Sequence, residues 1–260
     1  MASRSIDPLD YQKVPRPLAA MAKEFADGYR IAQHSHERAQ LIFAIRGVMT
    51  ISTAASRYVV PPQRALWMPS GMTHSIVMAG DVSMRTLYVD EKGARGLPGE
   101  CRVLAVTPLL RELIVRATAL PVLYEERGPD GRIMHTILDE IATLQTVPLD
   151  LPMPQDRRLL KLCRALIAEP ADDRTLEQFA DAAHASARTL ARLFRAETGM
   201  SFGAWRQQLR LLEAVRRMAA GAAVTEVALD LGYASPSAFA AMFRKSLGVP
   251  PSRYFGQTPI

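Results

Sequence analysis

An imperfect internal repeat in the C-terminal part of the 260-residue chain narrows the folding options more than any other feature. Leu176, Phe179, Ala180 and His184 recur 48 residues later as Val224, Val227, Ala228 and Gly232. Ser186, Leu190, Phe194 and Gly199 recur 49 residues later as Ser235, Phe239, Phe243 and Gly248. The extra residue falls in a turn, where an insertion does least damage. Each copy predicts a helix-turn-helix. A short first helix begins after Thr175 or Thr225, with Glu177 or Glu226 in its first turn, as suits a helix N-terminus. Ala180 or Ala228 is small enough for a second helix to cross closely. Ser186 or Ser235 then caps that second helix, and Pro236 sits in its first turn, where proline is tolerated. Leu190 with Phe194, and Phe239 with Phe243, are spaced i, i+4 and face the core. The opposite face is free to enter a DNA major groove.

Between the two copies, Ser201 suits an N-cap and Gly221 a helix stop. Phe202, Trp205, Leu209, Leu212 and Val215 form the apolar stripe of the helix they enclose. A helix of roughly 19 residues spans roughly 28 Å. Successive major-groove faces are about 34 Å apart. One rigid rod can therefore carry both readers along one side of DNA.

The charge distribution agrees with a polyanion partner. Residues 1–155 hold 17 Lys+Arg and 16 Asp+Glu, while residues 156–260 hold 15 and 10, so the basic excess is C-terminal and mostly arginine. Such a module releases counterions on binding phosphates. Cys101 and Cys163 have no CxxC spacing, which suits a reducing cytoplasm and gives neither a zinc finger nor a disulfide framework. No apolar run is long enough to span a bilayer, and the N-terminus has no continuous apolar core of a secretory signal, so no membrane partner is expected.

Residues 28–90 predict short strands: Tyr29–Gln33, Gln40–Ile45, Val48–Ser52, Arg57–Val60, Ala65–Met68, Ser75–Met78 and Met84–Val89. Arg46-Gly47, Pro61-Pro62, Pro69-Ser70-Gly71 and Gly80-Asp81 punctuate them. This spacing suggests a small barrel or jelly roll. A Gly-rich connector covers 91–100. A helix opens at Thr107-Pro108 and stops before Pro121. A second, over Gly131–Gln145, carries Ile133, Ile137, Ile141 and Leu144 on one face, either to pack on its own barrel or, as slightly preferred, to form a homodimer seam. Three prolines in 147–155 predict a stiff linker. The fold class is α+β and multidomain: a barrel with flanking helices over 1–146, the linker, and an all-α domain over 156–260.

The segments TLEQFADAAHASARTLARLFRAETGMSFGAW and VTEVALDLGYASPSAFAAMFRKSLGVPPSRYF, with their repeat, resemble the DNA-binding domain of the AraC/XylS transcription regulators over about residues 157–256. The resemblance implies base contacts from Arg188, Ala191 and Arg192 in the first reading helix. The matching face of the second is Ser237, Ala240 and Ala241. Arginine pairs bidentately with guanine, whereas small residues suit thymine methyls, so the second helix is expected to discriminate less. Arg195, Arg206, Arg210, Arg244 and Lys245 are candidate phosphate contacts, each with solvated surface charge as the bland alternative.

A second resemblance covers about residues 25–92. Gly28-x5-His34-x-His36-x3-Gln40-x6-Gly47, then Pro69-x-Gly71-x2-His74, is similar to the two cupin-barrel motifs. Gln40 replaces the usual glutamate, Gln63 the leading glycine of the second motif, and Met78 its closing asparagine. Many regulators of this kind carry such a barrel as an effector sensor. His34 and His36, at i, i+2, point to one face, where His74 would join them. Three imidazoles and an amide oxygen suit Zn²⁺, Ni²⁺ or Fe²⁺. In the metal-free alternative they line a small-molecule pocket with Ile45, Trp67, Met68 and Met78. A third alternative leaves them as barrel-lining residues with satisfied hydrogen bonds. His135 and His184 are isolated and read as structural. The leading expectation is a cytoplasmic, effector-responsive regulator of double-stranded DNA, without enzyme activity. The competing readings are a metal-dependent cupin enzyme with a DNA-binding tail, weakened by Gln40, and an architectural DNA binder without a ligand.

Overall fold

The computed structural model describes residues 5–254 apart from residue 183. The chain divides into two compact units. One runs to Pro148 without Ala54–Arg57, and the other takes Leu149 onward together with Ala54–Arg57.

The first unit is built on strands β1 (Leu18–Phe25), β2 (Arg30–His34), β3 (Ala39–Ser52), β4 (Ser56–Val60), β5 (Arg64–Met68), β6 (His74–Val89) and β7 (Arg102–Ala105). Their order runs β1-β6-β3-β4, with β2 also on β6, and β5 joining β3 to β7. The expected breaks at Gly47 and Gly80 do not end strands. β3 and β6 run through them, and the β3–β6 register slips around Arg46. Gly47 has φ +76°, and a Cβ there would lie 2.6 Å from the Asp81 carbonyl oxygen. The glycine thus permits a bulge where two long strands bend closely past each other, which increases twist and curls the sheet. β1 and β7 were not anticipated, because Leu18-Ala-Ala-Met-Ala is poor in β-branched residues; β1 is held by pairing along the C-terminal half of β6. Gln63, at the motif position that lacks its glycine, has φ +67°, the left-handed conformation glycine would adopt without strain.

The sheet has two faces of period two. On one, Leu18, Leu41, Phe43, Trp67, Leu87 and Val89 pack against helices α1 (Pro108–Ala117) and α2 (Pro129–Thr143). Helix α1 starts at a Thr107 cap whose side chain accepts from the Leu110 N–H, and Pro108 stands at its first position. Ile137 and Ile141 are buried in this core, with Ile133 and Leu144 packed on its margin. The α2 stripe is therefore consumed by its own unit, which corrects the preference for a dimer seam.

The second unit contains β8 (Asp150–Pro152) and helices α3 (Arg157–Ala168), α4 (Leu176–Ala182), α5 (Ala187–Thr198), α6 (Phe202–Ala219), α7 (Val224–Asp230), α8 (Pro236–Leu247) and α9 (Pro251–Tyr254). The proline-rich stretch is not a free linker. Leu149 and Leu151 are fully buried, the Met153 N–H donates to the Ala55 carbonyl (2.8 Å), and the Trp205 indole N–H donates to the Pro152 carbonyl (2.7 Å). Alternating leucines buried this way form a short strand, and the prolines serve as strand-edge residues. Helix α6 has 18 residues and starts at a Ser201 cap. It buries Trp205, Leu209, Leu212 and Val215 as expected, and also Leu211, Ala214 and Met218, because it is flanked on both sides.

Candidate functional site

Helices α4 and α5 form the first reading unit, and α7 and α8 the second. The backbone equivalence is close. Ala185 N–H donates to the Ala180 carbonyl in one turn, and Tyr233 N–H to the Ala228 carbonyl in the other. Ala234 is the inserted residue, because equivalence at offset 48 persists to Tyr233 and changes to 49 at Ser235. Ser186 and Ser235 each accept a hydrogen bond three residues on, from the N–H groups of Thr189 and Ala238. Gly199 and Gly248 end the two reading helices in the left-handed conformation. The inner sides are buried through Leu190 and Phe194, and through Phe239 and Phe243.

Arg188, Ala191, Arg192 and Arg195 are exposed on α5. On α8, Ser237 and Ala241 are exposed and Ala240 half-buried, while Arg244 and Lys245 are exposed near its end. The two helices thus present different chemistry on equivalent ridges. Arg206 and Arg210 depart from the expectation of free phosphate-binding cations. Arg210 Nε donates to the Pro170 carbonyl (2.8 Å) and its NH2 to that of Ala171 (3.1 Å), and burial pulls its pKa below the ordinary arginine range. It is a clamp on the end of α3. Arg206 donates to the Arg174 carbonyl (2.9 Å) and lies over the Phe202 ring. The second unit also lacks the expected Thr225 cap: α7 begins after Ala223, which offers no side-chain hydrogen bond, whereas Thr175 and Gln178 cap α4 reciprocally.

The other face of the sheet in the first unit encloses a cavity of about 200 Å³. Met21, Lys23 and Phe25 of β1, Gln40 and Ile42 of β3, and Met84, Thr86 and Tyr88 of β6 point into it, at the positions alternate to those in the helix-facing core. Trp67 does not line it. It pairs with Leu41 on the helix-facing side and donates its indole N–H to the Pro98 carbonyl. A one-residue error in alternation exchanges faces, and the same reason places Ile45 against the helices. Met68 and Met78 are buried without lining the cavity.

His34 ends β2 and pairs in register with His74, while His36 lies in the following loop. The ring centres are 4.3 Å apart for His34–His74, 4.7 Å for His34–His36 and 5.7 Å for His36–His74. One nitrogen from each lies within 4.8 Å of the others. Nδ1 of His34 is 2.8 Å from the Ala32 carbonyl oxygen, and Nδ1 of His74 is 3.0 Å from that of Met72. A carbonyl only accepts, so both Nδ1 atoms carry the proton and both Nε2 atoms present lone pairs. His74 Nε2, His36 Nδ1 and Gln40 Oε1 are buried without a hydrogen-bond partner. The Gln40 amide N–H donates to the Tyr88 oxygen, which opposes the upward pull of burial on that hydroxyl. Burial first, and the neighbouring imidazoles after it, hold His36 and His74 down at about 4. An unpartnered set of converging electron pairs fits a ligand that accepts them, and two rings anchored through their outer N–H on carbonyls have the usual support of metal-ligating histidines.

Pro8 reaches the cavity, and Tyr11 stacks on Tyr88 (5.7 Å). Buried Arg38, which sequence reasoning missed, holds this N-terminal segment. Its side chain donates to the carbonyls of Gln12 (2.9 Å), Arg16 (3.0 Å) and Val14, and its own N–H donates to the Gln12 side chain. No periodicity marks such a residue; only its position two residues past the histidine pair hinted at it. His135 lines a separate, open groove of mixed charge, and His184 lies exposed in the first turn.

Comparison with known proteins gives two family matches: an AraC-like ligand binding domain over residues 21–193 and a helix-turn-helix domain over residues 179–257. The HTH-type transcriptional regulator NimR of Escherichia coli (strain K12) is 34% identical over 224 residues, covering 86% of this chain and 82% of the relative. RipA of Corynebacterium glutamicum, also an HTH-type transcriptional regulator, is 36% identical over 46% of this chain and 36% of the relative. Among solved structures, ToxT from Vibrio cholerae aligns over 94% of this chain and 99% of its own, at 10% identity and a TM-score of 0.40.

Proposed function

The chain belongs to the AraC family of helix-turn-helix transcription regulators, with an AraC-like ligand-binding domain ahead of its DNA-binding unit, and from that premise we propose that it reads an asymmetric operator under control of the histidine pocket. Arg188 and Arg192 are assigned base readout in one major-groove segment, with Ala191 between them. Ser237, Ala240 and Ala241 make methyl and positioning contacts in the next. Arg195, Arg244 and Lys245 hold phosphates. The observation that carries this reading is the exposed Arg188–Arg192 ridge on a helix whose opposite side is anchored by buried Leu190 and Phe194. The test is quantitative binding to the selected operator. Arg188→Ala and Arg192→Ala each weaken it and relax preference at one base pair, while binding to unrelated DNA changes little. Equal losses on both DNAs would remove the readout assignment.

The pocket's occupant is assigned as a divalent transition metal held by His34, His36 and His74, with Gln40 Oε1 as a further donor. Support comes from the unpartnered inward atoms and the carbonyl-anchored outer ones. Imidazole donors favour Zn²⁺, Ni²⁺ or Fe²⁺ over Mg²⁺ and Ca²⁺. Its binding acts by shifting a pre-existing equilibrium of the DNA-binding unit. His34→Ala leaves DNA binding intact and abolishes the metal-dependent change in operator affinity; a response that survives removes the histidines as the sensor. The protein works in the cytoplasm as a regulator and not as an enzyme, and two copies on repeated sites would gain by multivalency.

A further inference from the structure

The donor set in the pocket carries no negative charge. His34, His36 and His74 coordinate as neutral imidazoles, and Gln40 offers an amide oxygen where a carboxylate would supply an anion. Among the described residues lining the cavity, none is Asp or Glu, and Lys23 is the one that carries a formal charge; the Asp7 carboxylate acts on Tyr88 from outside this lining. The Lys23 ammonium donates to the Ile6 carbonyl (3.2 Å) and lies 5.3 Å from the centre of the Phe25 ring. A divalent ion in this cavity therefore meets no carboxylate in its described lining. A net charge left uncompensated in a partly enclosed site is costly, and an anion bound beside it offsets that cost.

An ion that settles here is therefore held more tightly when a counter-charge comes with it. We propose that the signal this pocket reads is a metal ion and a small metal-binding anion together, the anion taking the open coordination position. This rests on the metal assignment above and adds the chemical class of the effector. The rest of the cavity wall describes that class further. Phe25, Tyr29, Ile31, Ile76 and Met84 are apolar or aromatic, so they accept a compact apolar body behind the anionic end. Lys23, in the same lining, carries a charge of the sign that attracts an anion. The site thus selects against a neutral organic molecule, which would leave the metal uncompensated. It also favours the metal–anion pair over the cation alone.

Gln40→Glu builds the missing charge into the wall, so it separates this idea from a simple metal site. The full-length protein is titrated with Co²⁺, read by its visible absorption, in azide and in perchlorate at equal ionic strength. Azide coordinates metals and perchlorate does not. In the wild type, azide raises apparent Co²⁺ affinity roughly tenfold or more and alters the spectrum. In Gln40→Glu, Co²⁺ binds tightly in perchlorate and azide adds little. Equal wild-type affinity in the two salts overturns the inference and leaves the metal site standing. No Co²⁺ binding in either salt overturns both. Azide binding without Co²⁺ shows an anion held by Lys23 alone and overturns the pairing. If Gln40→Glu fails to fold, as judged by circular dichroism, the wild-type comparison still decides the matter.

Discussion

The two reading units are nearly the same object carrying opposite surfaces. Their turns close with equivalent backbone hydrogen bonds, their second helices are capped by serine and stopped by glycine, and each buries an i, i+4 pair against the core. On the outside one offers two arginines and the other serine and alanines. Scaffold and readout are therefore separable. The interior is fixed by packing, and the ridge is free to vary because nothing in the fold depends on it.

The largest effects test the shared interior. Phe194→Ala and Phe243→Ala should each lower stability by about 3–5 kcal/mol in urea unfolding, since both rings are fully buried. A loss confined to one unit would break the equivalence. Next comes the ridge. Arg192→Ala should cost about 1–3 kcal/mol of operator affinity, and Ser237→Ala less than about 0.5, without stability change in either. Comparable losses would erase the asymmetry. The turns are a finer probe. His184 stands at φ +49° where its counterpart Gly232 stands at φ +78°. His184→Gly should stabilise by about 1 kcal/mol and Gly232→His destabilise by about 1–2, measured by thermal unfolding; no difference would mean the turns tolerate left-handed strain alike. The smallest concerns the uncapped helix: Ala223→Ser should add about 1 kcal/mol, whereas Thr175→Ser should change almost nothing.

The helical unit was the more legible part of the sequence because a repeat reports itself twice. The copies disagree at the start of the first helix: Thr175 precedes α4, whereas α7 starts one residue before Thr225. Arg210 shows the limit of residue type, because a phosphate-binding arginine and a carbonyl-clamping one are the same residue until their neighbours are known. In the sheet, the resemblance to cupin-barrel motifs points to the three histidines, but Trp67 stands on the face opposite to the expected one. Both faces of these strands are apolar, and alternation alone cannot say which one meets the helices. Gly47 was read as a break because a glycine that permits close approach looks like one that ends a strand. Arg38 left no pattern, since its partners are main-chain carbonyls, which every residue has.

Helix α6 also constrains how the DNA-binding unit comes apart. Trp205 meets Phe194 of the first reading unit edge-on at 5.8 Å, and Arg217 pairs with Asp230 of the second at 3.3 Å. Its residues Leu209, Leu211, Leu212, Ala214 and Val215 are buried around its circumference. Neither half has a complete interior without this helix. The unit should therefore unfold as a single cooperative block, with hydrogen exchange in α5 and α8 governed by the same opening event. A fragment that kept one reader and lost the other would leave this helix with an apolar flank open to water.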